Sequence, residues 1–388
     1  MNLAQRSIAA AALATVLALS WQFATVQTNY EGNWTALYCV GSRSRLPAEL
    51  TDGVWIFPAT KGYDGQWYRI VARDPWMEDG LWRYLDTPQR VHRILLPAAA
   101  WVLGLGNAER VDTSYLAAAL LFLFAGVWMT ARWSADQGES PWWGLAFAAL
   151  PGTLITIDRM TVDIALYVMI VAGLYCWRRK WWWGCWAAGA GALLARELGL
   201  LLIGAFVLAC VLKREWRRAA LLASSALPAA LWVLHVGRRT AGPRGSQVVP
   251  VWANDWTVIG PFEAILNPRN YALAGWFKPA TQILDGLAIA GVVLAVGFGL
   301  VWLRRQPLDV EPLLCGLYAI LFVLVSNERF WVDPYSYSRA FTPLAGLIAW
   351  RGVIEKRAWL ALPLGFMAAR IVWQMGPQAL GIFEALTS

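Results

Sequence analysis

The chain has 388 residues, 58% of them hydrophobic and 15% charged, with 26 Trp and a formal net charge of +8. That balance excludes a water-soluble domain, and apolar runs recurring from end to end call for many bilayer-crossing helices of roughly 20 residues each. The basic excess sits in short clusters between apolar runs, the pattern of cytoplasmic loops rather than of a nucleic-acid surface.

The first apolar run, Ile8 to Ala24, follows Arg6 and reads as a retained anchor. The polar stretch Thr25 to Gln89 is rich in Trp, Tyr, Asp and Arg, and hydrocarbon cannot satisfy its backbone or its charges, so it is expected outside the bilayer. Ile94 to Gly106 is apolar but short and contains Pro97, which suits a juxtamembrane or interfacial helix rather than a span. Later spans are expected at Tyr115 to Ala131, Trp142 to Ile157, Asp163 to Trp177, Trp181 to Ala195, Leu198 to Leu212, Ala219 to Val236, Ile283 to Leu303, Pro312 to Ser326, Ala340 to Trp350 and Ala358 to Trp373. With the anchor these make about eleven. The expected organisation is an anchor at 1–24, an external first loop with a juxtamembrane helix at 25–114, transmembrane helices two to seven at 115–236, an external loop at 237–280 and helices eight to eleven at 281–388.

With Ile94 to Gly106 left out of the count, Arg6, Arg132, Arg178-Arg179-Lys180, Lys213-Arg214, Arg304-Arg305 and Arg351 with Lys356-Arg357 share one face, with Arg238-Arg239 as the exception. The positive-inside rule then puts the N-terminus in the cytoplasm and the C-terminus outside. Cys176, Cys185, Cys210 and Cys315 lie in or beside apolar runs and only Cys39 falls in a polar loop, so no external disulfide is expected.

Chemistry is sought on the external face. Gly62-Tyr63-Asp64-Gly65-Gln66-Trp67-Tyr68 sets one carboxylate between glycines and aromatics, either as a general base or metal ligand or as an ordinary Asp-Gly turn. The turn Ile157 to Asp163 brings Asp158, Arg159 and Asp163 to the membrane boundary, where Asp163 can equally cap a helix. Arg196-Glu197 interrupts a long apolar stretch, as a self-paired turn or as a phosphate or sugar contact. Arg90, His92 and Arg93 precede the juxtamembrane helix, and Asp333-Pro334-Tyr335-Ser336-Tyr337-Ser338-Arg339 closes the last large loop. Arginines at such positions clamp phosphates or snorkel to headgroups. His92 and His235 form no metal pair.

Taken in order, Tyr63-Asp64-Gly65-Gln66-Trp67-Tyr68, then Arg93 to Gly106 with Pro97 inside it, then Asp158 to Asp163 resemble the membrane glycosyltransferases of the GT-C superfamily, nearest the PIG-V-like mannosyltransferase branch and its bacterial relatives. The resemblance covers Tyr63 to Trp177 in motif order and the remainder in topology. It implies an all-α polytopic membrane protein of GT-C type that moves a sugar from a polyprenyl-phosphate donor to a glycan or glycolipid acceptor, in a bacterial inner membrane with a periplasmic active site. It also implies Asp64 as the acid that activates the acceptor hydroxyl, Asp158 as the second acid, and Arg93 with Arg90 at the donor phosphate. Arg339 and Arg196 join the phosphate set from topology, and Tyr63, Trp67, Tyr68, Asp163 and Glu197 are expected as acceptor or sugar contacts. The second acid falls five residues after Asp158 instead of in an Asp-x-Asp pair, which leaves Mg2+ or Mn2+ between Asp64 and Asp158 open. The competing readings are a polysaccharide polymerase or ligase, suggested by the loop 237–280, and a lipid-linked saccharide transporter or flippase.

Overall fold

Residues 2–44, 46–241, 275–325 and 328–387 are described by the structure, a computed structural model. Helix α1 (Leu3–Asn29) contains the expected anchor and opens with a reciprocal cap, in which the Asn2 side chain accepts from the Gln5 amide and the Gln5 side chain from that of Asn2. The polar stretch after it folds as a small subdomain of α2 (Ala48–Thr51), α3 (Asp64–Arg73), short 3-10 turns and two parallel strands, β1 (Val40–Gly41) and β2 (Ile56–Phe57). The strand pair departs from an all-helical expectation. Close approach permits it: a Cβ on Gly41 would lie 2.1 Å from the Gly62 nitrogen.

The juxtamembrane segment is α4 (Leu95–Leu103), short as expected, with Pro97 in its first turn, where a missing N–H costs nothing. There follow α5 (Val111–Asp136), α6 (Pro151–Arg159), α7 (Asp163–Arg178), α8 (Trp182–Ala195), α9 (Gly199–Leu212), α10 (Trp216–Ala223) and α11 (Leu227–Thr240). The remaining helices are α12 (Phe277–Arg305), α13 (Val310–Leu324), α14 (Glu328–Val332), α15 (Pro334–Ile354), α16 (Leu362–Gln374) and α17 (Gly376–Thr387).

The chain is an all-α polytopic membrane protein. Four described helices are long and apolar enough to cross a bilayer: Leu3–Asn29, Ala108–Asp136, Trp216–Thr240 and Phe277–Arg305. A fifth is added if Ala358–Gln374 and Gly376–Thr387, bent by 54°, form one broken span. α9 and α13 are apolar but shorter. The expected span Trp142 to Ile157 is not a single helix, because the 3-10 turn Pro141–Phe147 gives way to α6 at Pro151, whose ring fixes φ and lacks a donor. Most of the expected loop 237–280 lies outside the described residues, as does Asn327.

Small residues set the packing. Ala10, Ala11 and Ala14 are buried on α1, the helix that packs on α5, and small side chains let helix backbones come close where lipid supplies no hydrophobic drive. Gly126 of α5 faces the Phe147 ring, which a Cβ would meet at 2.2 Å. Leu13, Val16, Leu17 and Phe23 of α1 stay exposed, as a lipid-facing surface requires. Because α5 starts and α6 ends against the subdomain of residues 30–93, the starts of α3, α7 and α15 and the turn between α8 and α9 converge at one end of the bundle.

Candidate functional site

Asp64 is the first residue of α3, after extended Tyr63, so its carboxylate meets the positive end of that helix. The glycines around it serve close packing. Gly62 has φ +73 and sits against the Cys39 carbonyl, and a Cβ on Gly65 would lie 2.3 Å from the Arg159 carbonyl oxygen. Gln66 ties this turn to the strands, donating to the Lys61 carbonyl at 2.7 Å and accepting from the Gly41 amide at 3.3 Å.

Two arginines from distant segments take the two oxygens of Asp64. Arg90 pairs with Oδ1 at 2.9 Å, and Arg339 of α15 donates to Oδ2 at 2.7 Å. Burial pushes the Asp64 carboxyl up, but Arg339 and Arg90 outweigh it and hold the group well below the usual carboxylate range. Arg339 also lies 3.5 Å from Asp163 Oδ2 and stands over the Tyr63 ring at 5.3 Å. Asp163, at the first position of α7, binds Arg196 through its other oxygen.

Arg93 donates twice to Glu197, at 2.9 and 2.7 Å, and once to the Tyr68 hydroxyl at 2.9 Å. Arg90 lies over the Tyr68 ring at 5.6 Å and pairs with Asp86 through two bonds. His92 is pushed down by burial and is neutral at physiological pH. Burial and neighbouring Arg93 lower Arg196 to about 10, so it stays charged at neutral pH.

The expected residues Tyr63, Asp64, Tyr68, Arg90, Arg93, Asp163, Arg196, Glu197 and Arg339 therefore join one network of alternating charge. Trp67 is half-buried on α3, three residues from Asp64. Two corrections follow. Arg196 and Glu197 are not chiefly a self-paired turn, since Arg196 binds Asp163 and Glu197 binds Arg93, with only a 3.7 Å contact between them. Asp158 does not join Asp64. It is buried against Arg159 at 2.8 Å, with the Gln378 amide beside it, and Arg159 donates to Cys39 Sγ at 3.0 Å.

Tyr335 divides the two clusters, its ring edge on Tyr63 at 5.3 Å and its hydroxyl toward Arg159. Tyr335 and Asp86 were missed by sequence reasoning. Asp86 was visible as the residue four before Arg90, and Tyr335 lay in the stretch already singled out. Gln378 had no sequence signal.

Among the described residues, no group of three or more His, Cys, Asp and Glu side chains could hold a metal ion. Asp64 and Asp158, the pair expected around Mg2+ or Mn2+, are engaged by different arginines, a donor set that does not fit a shared divalent cation. Beside Arg93, an apolar cavity of about 370 Å³ opens between α4 and α11, lined by Trp76, Ile94, Ala98, Leu194, Leu231 and Trp232 among others.

No family model, no curated protein and no solved structure matches this chain.

Proposed function

We propose that the protein is a membrane glycosyltransferase of GT-C type that moves a sugar from a polyprenyl-phosphate donor to a cell-surface glycan or glycolipid on the external, periplasmic face of a bacterial inner membrane. The observation that carries this reading is the meeting of Asp64, Arg90, Arg93 and Arg339 from three segments far apart in sequence at one end of the bundle. A carboxylate with arginines on either side is what transfer from a lipid phosphate needs. The apolar cavity beginning at Ile94, next to Arg93, supports a lipid tail as the substrate's other half.

In this reading Asp64 accepts the proton of the acceptor hydroxyl as that oxygen bonds to the anomeric carbon. The bond from that carbon to the phosphate oxygen breaks, and Arg90, Arg93 and Arg339 stabilise the departing lipid phosphate. The resting pairing carries a mechanistic consequence. Asp64 occupies the arginines that the donor phosphate would use, so donor binding draws Arg90 and Arg339 away and leaves burial to raise the basicity of Asp64. Tyr63, Trp67 and Tyr68 offer stacking surfaces for sugar, and Asp163 with Arg196 holds Arg339 in place. Eleven spans fit this topology if pairs of shorter helices cross together.

One observation favours transport instead. Asp285 of α12 and Arg370 of α16 form an ion pair at 2.6 Å within apolar helices, where ionisable groups commonly line a path. Transfer of labelled sugar from synthetic polyprenyl-phosphate donors by the purified protein in nanodiscs separates the two. Transfer or donor hydrolysis lost in Asp64→Asn supports the enzyme; specific donor binding without turnover, unchanged by that substitution, supports the transporter.

A further inference from the structure

The opposite end of the bundle holds a second built site. Asp112 lies beside the subdomain, paired with Arg69, and Asp136 ends the same helix, about 36 Å further along α5 at 1.5 Å per residue. There a cavity of about 290 Å³ is lined by Trp133, Asp136, Arg178 and Arg179 among others. Arg178 pairs with Glu311 at 2.9 Å and stands 5.4 Å over the Trp133 ring, while Arg179 pairs with Asp136 at 2.5 Å. A guanidinium has five N–H donors, so one carboxylate leaves donors to spare on each.

Two features narrow what fits. Trp133 is only 2% exposed and its ring lines the cavity beside Arg178, with the Trp350 ring packed 5.1 Å away. The N–H donors left on Arg178 and Arg179, side by side on this cavity, call for an oxygen-rich anion. The charge is nonetheless balanced, two arginines against two carboxylates, and the cavity lies at the C-terminal ends of α5 and α7, where the helix dipoles disfavour an anion alone. A zwitterion satisfies both demands. α5 belongs to a segment long and apolar enough to cross the bilayer, so its last turn falls at headgroup level.

We infer that this cavity binds the headgroup of an aminophospholipid of the bilayer, with the phosphate held by Arg178 and Arg179 and the ammonium by Asp136. The assignment is independent of glycosyl transfer. It places a lipid contact between α5 and α7, whose other ends meet the subdomain, through Asp112 and Arg69, and the charged network, through Asp163.

Native mass spectrometry of the delipidated full chain tests it, with phosphatidylethanolamine, a diacylglycerol of the same tails, phosphatidylglycerol and inorganic phosphate as separate probes. Retention of one phosphatidylethanolamine, in preference to the other three, is expected. Arg179→Gln and Arg178→Gln should each weaken that retention about tenfold, the loss of one charge-assisted hydrogen bond. Arg179 is 54% and Arg178 37% exposed, so both variants leave the core filled. Equal retention of diacylglycerol, preference for phosphatidylglycerol, saturation by inorganic phosphate alone, or undiminished retention in both variants would each overturn the inference.

Discussion

Asp158 and Asp163 stand five residues apart in one turn, yet they end in different surroundings. Asp158 closes the last turn of α6 against its neighbour Arg159, near the C-terminal helix through Gln378. Asp163 opens α7 and reaches Arg196 and Arg339, which belong to the turn after α8 and to α15. Met160, left-handed at φ 47, reverses the chain between them. The difference teaches that an acidic turn is not one site: a single reversal sends one carboxylate to its neighbour Arg159, beside Gln378, and the other to a network spanning five segments.

The largest expected effect separates network from local pair by chemistry. Asp64→Asn should lower sugar transfer by about 10²- to 10⁴-fold, the usual share of a general base, whereas Asp158→Asn should leave most of the rate; labelled-donor assays on both variants measure the contrast, and equal losses would merge the two clusters again.

The next effect is on stability. Asp163→Asn removes the shared partner of two buried arginines and should cost about 3–5 kcal/mol, read as a lowered unfolding midpoint in detergent. Arg159 neighbours Asp158 in sequence and keeps Cys39 and Tyr335 as partners, so Asp158→Asn should cost less.

Lipid-phosphate binding sharpens the comparison further. If Asp64 stands in for the donor phosphate on Arg90 and Arg339, Asp64→Asn should bind sugar-free polyprenyl phosphate about tenfold more tightly, worth about 1.4 kcal/mol, while Arg339→Gln weakens it and Asp158→Asn leaves it unchanged. Titration of the lipid by calorimetry or fluorescence checks all three.

The smallest expected effect is on pH profiles. The Asp64 pKa is depressed in the resting protein, so the stability it lends is present above the ordinary carboxylate value and is lost only as pH falls through the lowered one. Accordingly kcat/KM, which reports the free enzyme, should show no Asp64 limb down to about pH 4, while kcat, with the arginines drawn to phosphate and burial left uncompensated, should gain one above that value. Matching limbs in both profiles would contradict the exchange of partners.

Much of the candidate site was legible before any fold. Asp64 between glycines, Arg90 and Arg93 ahead of a Pro-containing apolar helix, Arg196-Glu197 interrupting apolar sequence and Arg339 after an aromatic loop each broke a local rule, and charges beside a bilayer are too costly to be casual. Their partners were not legible. Glu197 looked like the mate of Arg196 because adjacency is all a linear reading offers, and its pairing with Arg93 depends on how α4 and the turn between α8 and α9 meet.

What the sequence by itself determined is the membrane class, the short helix at Leu95–Leu103, the polar subdomain and the identity of the charged residues, because hydropathy, proline and glycine act within a few residues of themselves. The tertiary structure alone decided that Arg90 and Arg339 share Asp64, that Asp163 joins Arg196 to Arg339, and that Asp158 stands apart behind Tyr335. Those are contacts between segments up to 275 residues apart, set by close helix packing over small side chains, which no local pattern encodes.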